Sequence, residues 1–286
     1  MMSDAILAWW MALGTVACVN IGVWTYTVRW LARQKYLFDP AVYRHRQWFL
    51  WLSSVYVFVC AFRSFLPRVD VLRICLVDSW LSSIFLGRTI ATIAEIAFMV
   101  ELCLMAYLLG RWLHVRGSIR VVVLVILLIV IAEGFSWLAV LTTNNLGHVI
   151  ENALWTLASI ILVAFLAILR PRTMAGMQLL LTWMMIFGMS YIAYMLMANV
   201  PMYASRWQHG LIEGKEYLSL SHGLHEILHL RTVTFDWNIW RDDIGWQTLY
   251  FSTAVWLSMA LVYVQPFETI EYDSEQQSAL SIPKPG

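Results

Sequence analysis

Seven long apolar runs divide the chain, and they restrict its fold more than any other feature. A helix needs roughly 20 consecutive apolar residues to cross the hydrocarbon layer of a bilayer. Of the 286 residues, 60% are hydrophobic and only 13% are charged, whereas a soluble domain carries about twice that charged share. The sequence therefore predicts an all-α integral membrane bundle of about seven transmembrane helices. We expect one domain over residues 1–286. The predicted spans are Ile6–Thr27, Trp48–Leu66, Thr89–Leu109, Ile119–Thr142, Val149–Leu169, Gln178–Val200 and Thr248–Val264.

Basic residues in the links between these spans predict the orientation, because Lys and Arg accumulate on the cytoplasmic side. The first, third and fifth links are rich in them: Arg29, Arg33, Lys35, Arg44 and Arg46; Arg111, Arg116 and Arg120; and Arg170 and Arg172. This pattern places the N-terminus outside and the C-terminal tail, which includes residues 268–277, in the cytoplasm. It also places the long link 201–246 outside, where we expect a short amphipathic helix.

The charge balance limits the possible partners. The formal net charge is +1, and nucleic-acid binding requires a concentrated basic surface. We therefore expect membrane lipids and no nucleic acid, and a membrane protein partner or an oligomer remains open. The predicted location is a cell or inner membrane, with multiple passes. Cys60 and Cys75 flank one outer link, and the sequence leaves open whether they form a disulfide.

Ionisable residues inside the predicted spans mark either a buried pair or a functional site, because they are costly in lipid. Arg88 and Glu95 share a helical face, and Glu133, Glu151 and Tyr194 lie at a similar depth near the outer side. These positions predict a polar cavity that opens outwards. The alternative is a purely structural set of ion pairs and hydrogen bonds.

A short segment of the long outer link carries a metal-site pattern. His225, Glu226 and His229 form HExxH, in which two imidazoles one helical turn apart reach one metal and the glutamate activates its water. His222 falls on the same face. A hydrolytic zinc site needs three protein ligands and an open position. The third ligand is expected from His222, Asp236, Asp242 or a carboxylate of Glu95, Glu133 and Glu151.

Two functional hypotheses follow from these residues. The first is a hydrolase that uses zinc or another divalent metal on a lipid or membrane-associated substrate at the outer face. Glu226 would be its base, and Arg88 or Tyr194 would stabilise the oxyanion. The second needs no metal, because surface histidines that titrate near neutral pH also suit a seven-helix sensor or ligand-binding protein. A structural subunit of a membrane complex is also open.

Overall fold

Ten α-helices form most of the computed structural model, which describes residues 4–264. Five long ones come first: α1 (Asp4–Arg33), α2 (Pro40–Phe65), α3 (Ile84–Trp112), α4 (Ser118–Thr142) and α5 (Asn145–Leu169). The others are α6 (Ala175–Tyr194), α7 (Val200–Ile212), α8 (Leu220–His229), α9 (Trp237–Phe251) and α10 (Thr253–Leu261). The all-α membrane bundle predicted from the sequence is thus confirmed at the level of its architecture.

Helix starts follow local capping chemistry. The Asp39 carboxylate accepts a hydrogen bond from the amide of Ala41 at 2.8 Å, directly before α2, and Pro40 occupies the first helical position. Asn144 caps α5 in the same manner, and Asp236 caps α9. Such caps matter most at the ends of apolar helices, because unpaired amides are costly beside lipid.

Six helical segments are long and apolar enough to cross a membrane: Asp4–Arg33, Pro40–Phe65, Ile84–Trp112, Ser118–Thr142, Asn145–Arg172 and Ala175–Ile212. They correspond to the first six predicted spans and extend most of them. Large apolar side chains on their outer faces are exposed, as expected for contact with lipid. The multi-pass membrane character is therefore supported by six helices.

The seventh predicted span, Thr248–Val264, coincides with the end of α9 and with α10. These two helices are separated at Ser252, and neither is long enough to count as a crossing helix. Asn20 of α1 supplies a hydrogen-bond partner at this break, because its Nδ2 donates to the carbonyl of Phe251 at 3.0 Å. Its Oδ1 accepts from Trp256 Nε1 at 2.9 Å. The count of seven and the orientation of the termini stay predictions. The C-terminal tail lies outside the described residues.

The sixth span contains a wide turn that joins it to α7. Residues Met195–Asn199 form a π-helical turn between α6 and α7, just before Pro201. Proline has no amide hydrogen to continue the regular ladder, so a locally widened helix is a natural accommodation. Such turns are frequent at functional sites.

One end of the bundle is organised by a small three-stranded sheet. Strand β1 (Arg68–Val69) pairs antiparallel with β2 (Ile74–Cys75), and β2 pairs parallel with β3 (Thr232–Val233). A cluster of Ile6, Val69, Ile74, Leu76 and Trp240 packs beneath this sheet. The link after α2 and the link after α8 are thereby held together at the end that the sequence predicts to be outside.

Candidate functional site

A buried arginine joins three carboxylates near this end of the bundle. We call Arg88, Glu95, Glu133 and Glu151 the Arg88 cluster. Arg88 and Glu95 lie seven residues apart on one face of α3, Glu133 comes from α4 and Glu151 from α5. All four side chains are at least nine-tenths shielded from solvent. The sequence prediction that these residues share one depth is borne out by their contacts.

The geometry of the cluster is centred on one nitrogen. Arg88 Nη2 donates to Glu95 Oε2 at 2.8 Å and to Glu133 Oε2 at 2.5 Å. It also lies 3.9 Å from Glu151 Oε1. One oxygen from each carboxylate lies within 4.8 Å of the others. A single guanidinium therefore holds three acids close together in a region of low dielectric constant.

Hydroxyl groups extend the cluster towards α4 and α9. Thr92 Oγ1 donates to Glu133 Oε2 at 2.7 Å and accepts from Trp137 Nε1 at 3.1 Å. Tyr250 OH donates to Glu95 Oε1 at 3.0 Å. The second oxygen of Glu133, Oε1, is buried and has no hydrogen-bond partner within residues 4–264. The indole of Trp137 is consequently a natural optical reporter on Glu133.

A second chain of contacts leads from Glu151 to the wide turn. His148 Nδ1 contacts Glu151 Oε2 one helical turn away, and its ring lies 4.8 Å from that of Tyr203 on α7. Asn152 Nδ2 donates to the carbonyl of His148 at 2.7 Å. Asn199 Nδ2, in the π-helical turn, donates to Asn152 Oδ1 at 3.1 Å. The cluster is thus physically connected to the α6–α7 junction.

Charges around the cluster do not balance when every group has its usual ionisation state. Three buried arginines are present, Arg63, Arg68 and Arg88, whereas the acids number four: Asp70, Glu95, Glu133 and Glu151. Leaving a charge uncompensated in a buried site costs several kcal/mol, on the order of 3–5. One added proton, on His148 or on a carboxylate, would restore neutrality.

Asp70 lies outside the spans, next to the arginines, and its carboxyl is ionised. Burial opposes ionisation of Asp70, but Arg68, Arg63 and Arg88 outweigh it and lower the pKa of this carboxyl. Burial lowers the pKa of Arg68 to about 10, and Asp70 partly offsets that effect. Asp243 on α9 behaves differently, because burial raises its pKa to about 6 while Arg206 limits the rise. The Asp243 carboxyl therefore has a pKa close to the physiological range.

The HExxH segment forms α8, as the sequence predicts, but its glutamate is engaged. Arg73 Nε donates to Glu226 Oε2 at 3.4 Å, and Arg73 Nη2 donates to the carbonyl of Val140 at 2.8 Å. Gly223 lies directly against the backbone of Leu141, and Ile227 is buried. These contacts fasten α8 across the end of α4 through its glutamate and its small residue.

The histidines of α8 point away from the carboxylates of the core. His222, His225 and His229 are exposed, and the rings of His225 and His229 lie 4.8 Å apart. Among the described residues, Glu95, Glu133 and Glu151 are the one group of three possible metal ligands within 4.8 Å of one another. The structure therefore does not bring the histidines and these carboxylates into a single site, and the zinc assignment stays a prediction.

The structure also locates five further residues that the sequence singles out. Tyr194 is half-buried at the end of α6 and takes no part in the hydrogen bonds of the Arg88 cluster described above. Asp242 pairs with Arg206 at 3.2 Å, and Asp236 caps α9. Cys60 and Cys75 are both free thiols, so the structure does not contain the disulfide that the sequence leaves undecided.

Several residues of the site escape sequence reasoning. Three of them, Arg63, Arg68 and Tyr250, approach the cluster from segments that are far apart in sequence. No local sequence pattern therefore indicates their role. His148 was detectable, because it precedes Glu151 by three residues and this spacing puts both on one helical face.

Comparison of the chain with protein-family models, with curated proteins and with solved structures gave no match. Function must therefore be argued from the geometry and chemistry of the site itself.

Proposed function

We propose that this protein is a proton-responsive sensor of the membrane, in which the Arg88 cluster and His148 bind one proton. The supporting observation is the uncompensated carboxylate: three buried arginines face four acids, and His148 touches Glu151. Histidine is the side chain whose ordinary titration range is closest to neutral pH. Uptake of one proton would make the wider group of three arginines and four acids neutral without any rearrangement of the arginines.

A proton suits this geometry better than a divalent cation. Arg88 Nη2 already occupies the space between Glu95 and Glu133, at 2.8 and 2.5 Å from their oxygens. A metal ion would have to displace the guanidinium, which would leave Arg88 buried without its carboxylate partners. A proton requires only an oxygen or nitrogen lone pair, and Glu133 Oε1 and His148 offer these.

The response would travel through α7. His148 contacts Glu151 on its own helix and the Tyr203 ring on α7, and it interacts electrostatically with Asp243 on α9. Arg88 of α3 lies 3.9 Å from the other oxygen of the Glu151 carboxylate. A positive charge on the imidazole would strengthen its contact with Glu151 and alter its packing on Tyr203. Because α7 begins at the π-helical turn, a change at Tyr203 would shift the balance between two positions of this helix.

A fluorescence titration tests the proposal. The purified protein in lipid nanodiscs is titrated from pH 5 to pH 8.5, and the contribution of Trp137 is obtained by subtracting the curve of Trp137→Phe. We expect a single-proton transition in the wild type. Glu133→Gln should abolish it, because that change removes the uncompensated charge. His225→Gln is the matched control on exposed α8 and should titrate like the wild type.

Two results would overturn the sensor proposal. One is a flat wild-type curve, and the other is an unchanged transition in Glu133→Gln. If Glu133→Gln does not fold, Glu151→Gln serves in its place, because it removes the same formal charge from a different helix.

A second candidate is the metal-dependent hydrolase predicted from the HExxH pattern. Three carboxylate oxygens within 4.8 Å favour a hard divalent cation at the Arg88 cluster, and two imidazoles one turn apart suit zinc on α8. The hydrolase would act on a lipid or membrane-associated substrate at the outer face, with Glu226 released from Arg73 to serve as base. No covalent step is assigned to it here.

Elemental analysis of the purified protein distinguishes these metal sites. Zinc that is lost in His225→Ala and His229→Ala but kept in Glu226→Gln would support the α8 site. A divalent metal that is lost in Glu133→Gln alone would support the carboxylate site. Metal content unchanged in all four variants would eliminate the hydrolase.

A further inference from the structure

Arg68 presents two unpaired nitrogens in the interior of the protein. Its Nε donates to Asp70 Oδ1 at 3.1 Å, but Nη1 and Nη2 have no hydrogen-bond partner in the described part of the chain. Only 1% of its side chain is exposed. A guanidinium carries five donors in a planar fork, and buried donors left unpaired cost about 1–3 kcal/mol each. The free edge of this fork therefore indicates a missing acceptor.

The fork is held in a fixed position. A Cβ atom at Gly87 would lie 1.3 Å from Arg68 Cζ, so the guanidinium lies directly on the first turn of α3 where only glycine leaves room. The carbonyl of Arg68 accepts from Gln247 Nε2 at 3.3 Å, and the strand pairing of β1 with β2 fixes its backbone. Ligand recognition benefits from such preorganisation, because little entropy is lost on binding.

A second buried arginine adds to the positive charge. Arg63 Nη1 also has no hydrogen-bond partner within residues 4–264, and its nearest carboxylate oxygen, Glu95 Oε1, lies 3.9 Å away. Its guanidinium packs over the aromatic rings of α9, 5.4 Å from that of Phe251. Arg63 and Arg68 repel each other, and the one carboxylate hydrogen-bonded to this arginine pair is Asp70. The pair thus has three nitrogens without a hydrogen-bond partner, and its charges are opposed by Asp70 and, at longer range, by Glu95.

We propose that Arg63 and Arg68 form a binding site for a phosphate group. A phosphate offers two oxygens in the spacing that a guanidinium fork recognises. Each of its oxygens can also accept the charge-assisted hydrogen bonds that these three nitrogens lack. The pair lies where α2 ends and α3 begins, beneath the β1–β2 hairpin, so the phosphate comes either from solution or from a lipid headgroup at the membrane surface. The hairpin must open to admit it.

This site adjoins the proton site, because Arg63 lies 3.9 Å from Glu95 and both arginines enter the charge balance of the four acids. The proton site depends on Glu133, Glu151 and His148, which lie on α4 and α5, whereas the arginine pair belongs to α2 and β1. The inference goes beyond the sensor function and can fail without affecting it.

Thermal unfolding in a phosphate-free maltoside detergent tests this site. Inorganic phosphate is added in one series and short-chain phosphatidic acid in another, each against chloride at equal ionic strength. A ligand that binds only the folded state raises the unfolding temperature, and the rise grows with the logarithm of the ligand concentration above its Kd. Arg68→Lys keeps the charge but loses the fork, so the rise should disappear. Arg241→Lys, at an exposed arginine, should retain it.

The outcomes separate the sources of the phosphate. A rise with both ligands indicates recognition of the phosphate group itself, whereas a rise with the lipid alone indicates a headgroup site. The proposal is overturned if neither ligand raises the unfolding temperature above that of the chloride control, or if Arg68→Lys responds like the wild type. If Arg68→Lys does not fold, Arg63→Lys is used, and titration calorimetry of the wild type with inorganic phosphate provides an independent measurement.

Discussion

Replacing Gly87 by alanine is the sharpest test of the packing around Arg68. The new Cβ would lie 1.3 Å from Arg68 Cζ, so the guanidinium has to move. On an open surface a long side chain would swing aside at little cost, but here it is buried and bonded to Asp70 at 3.1 Å. Overpacking costs about 1–3 kcal/mol, and loss of the charge-assisted hydrogen bond costs about 1.5–3 kcal/mol.

The better helix propensity of alanine returns up to about 1 kcal/mol, so Gly87→Ala should destabilise the protein by about 1.5–5 kcal/mol. Gly134→Ala is the matched control, because Gly134 is also helical and has open space at its Cβ position. It should be neutral or slightly stabilising. The measurement is the free energy of unfolding in detergent, followed by circular dichroism.

A double variant isolates the cause. In an Arg68→Ala background the clash is absent, so Gly87→Ala should lose most of its cost, and the two changes should be strongly non-additive. If Gly87→Ala behaves like Gly134→Ala, or if its cost persists without Arg68, the described contact between this guanidinium and α3 is wrong.

Three further predictions concern charges at the same end of the bundle. Arg88→Gln should cost about 3–5 kcal/mol of unfolding free energy, because it leaves three buried carboxylates without their common partner; retention of wild-type stability would refute the cluster. Asp243 binds its proton more tightly when folded, with a pKa raised from 3.8 to about 6, so stability should fall by up to about 3 kcal/mol as pH rises from about 4 to about 6. Asp243→Asn should remove this slope, and a slope equal to that of the wild type would contradict the assignment. Glu226→Gln weakens the bond to Arg73, so it should raise the rate of amide hydrogen exchange in α8 and leave that of α5 unchanged. If α8 exchanges as slowly as in the wild type, the packing of Gly223 and Ile227 is enough to hold this helix.

Helical spacing accounts for what the sequence predicted of the site. Arg88 and Glu95 stand seven residues apart, so their shared face on α3 follows from helix geometry alone. The depth of Glu133 and Glu151 follows from their distance to the helix ends. The sequence leaves open whether these groups line a polar cavity or form ion pairs, because an arginine in lipid needs a carboxylate nearby in either case.

The remaining parts depend on contacts that no local pattern encodes. Arg73 and Glu226 are separated by 153 positions, and this pairing assigns the HExxH glutamate to a structural bond rather than leaving it free. The break at Ser252 depends on Asn20, 231 residues from the carbonyl that it satisfies. A hydropathy window does not detect such a break in a helix, because hydropathy measures composition and not hydrogen bonding.

Asn20 also bears on how the chain assembles in a bilayer. The segment from α9 to α10 combines a charged first half with a short apolar second half, and its interruption exposes a carbonyl that lipid cannot solvate. The partner that satisfies this carbonyl lies in α1. The segment from α9 to α10 can therefore pack without an unpaired backbone group only where α1 is already in place, which makes two helices distant in sequence fold as one unit.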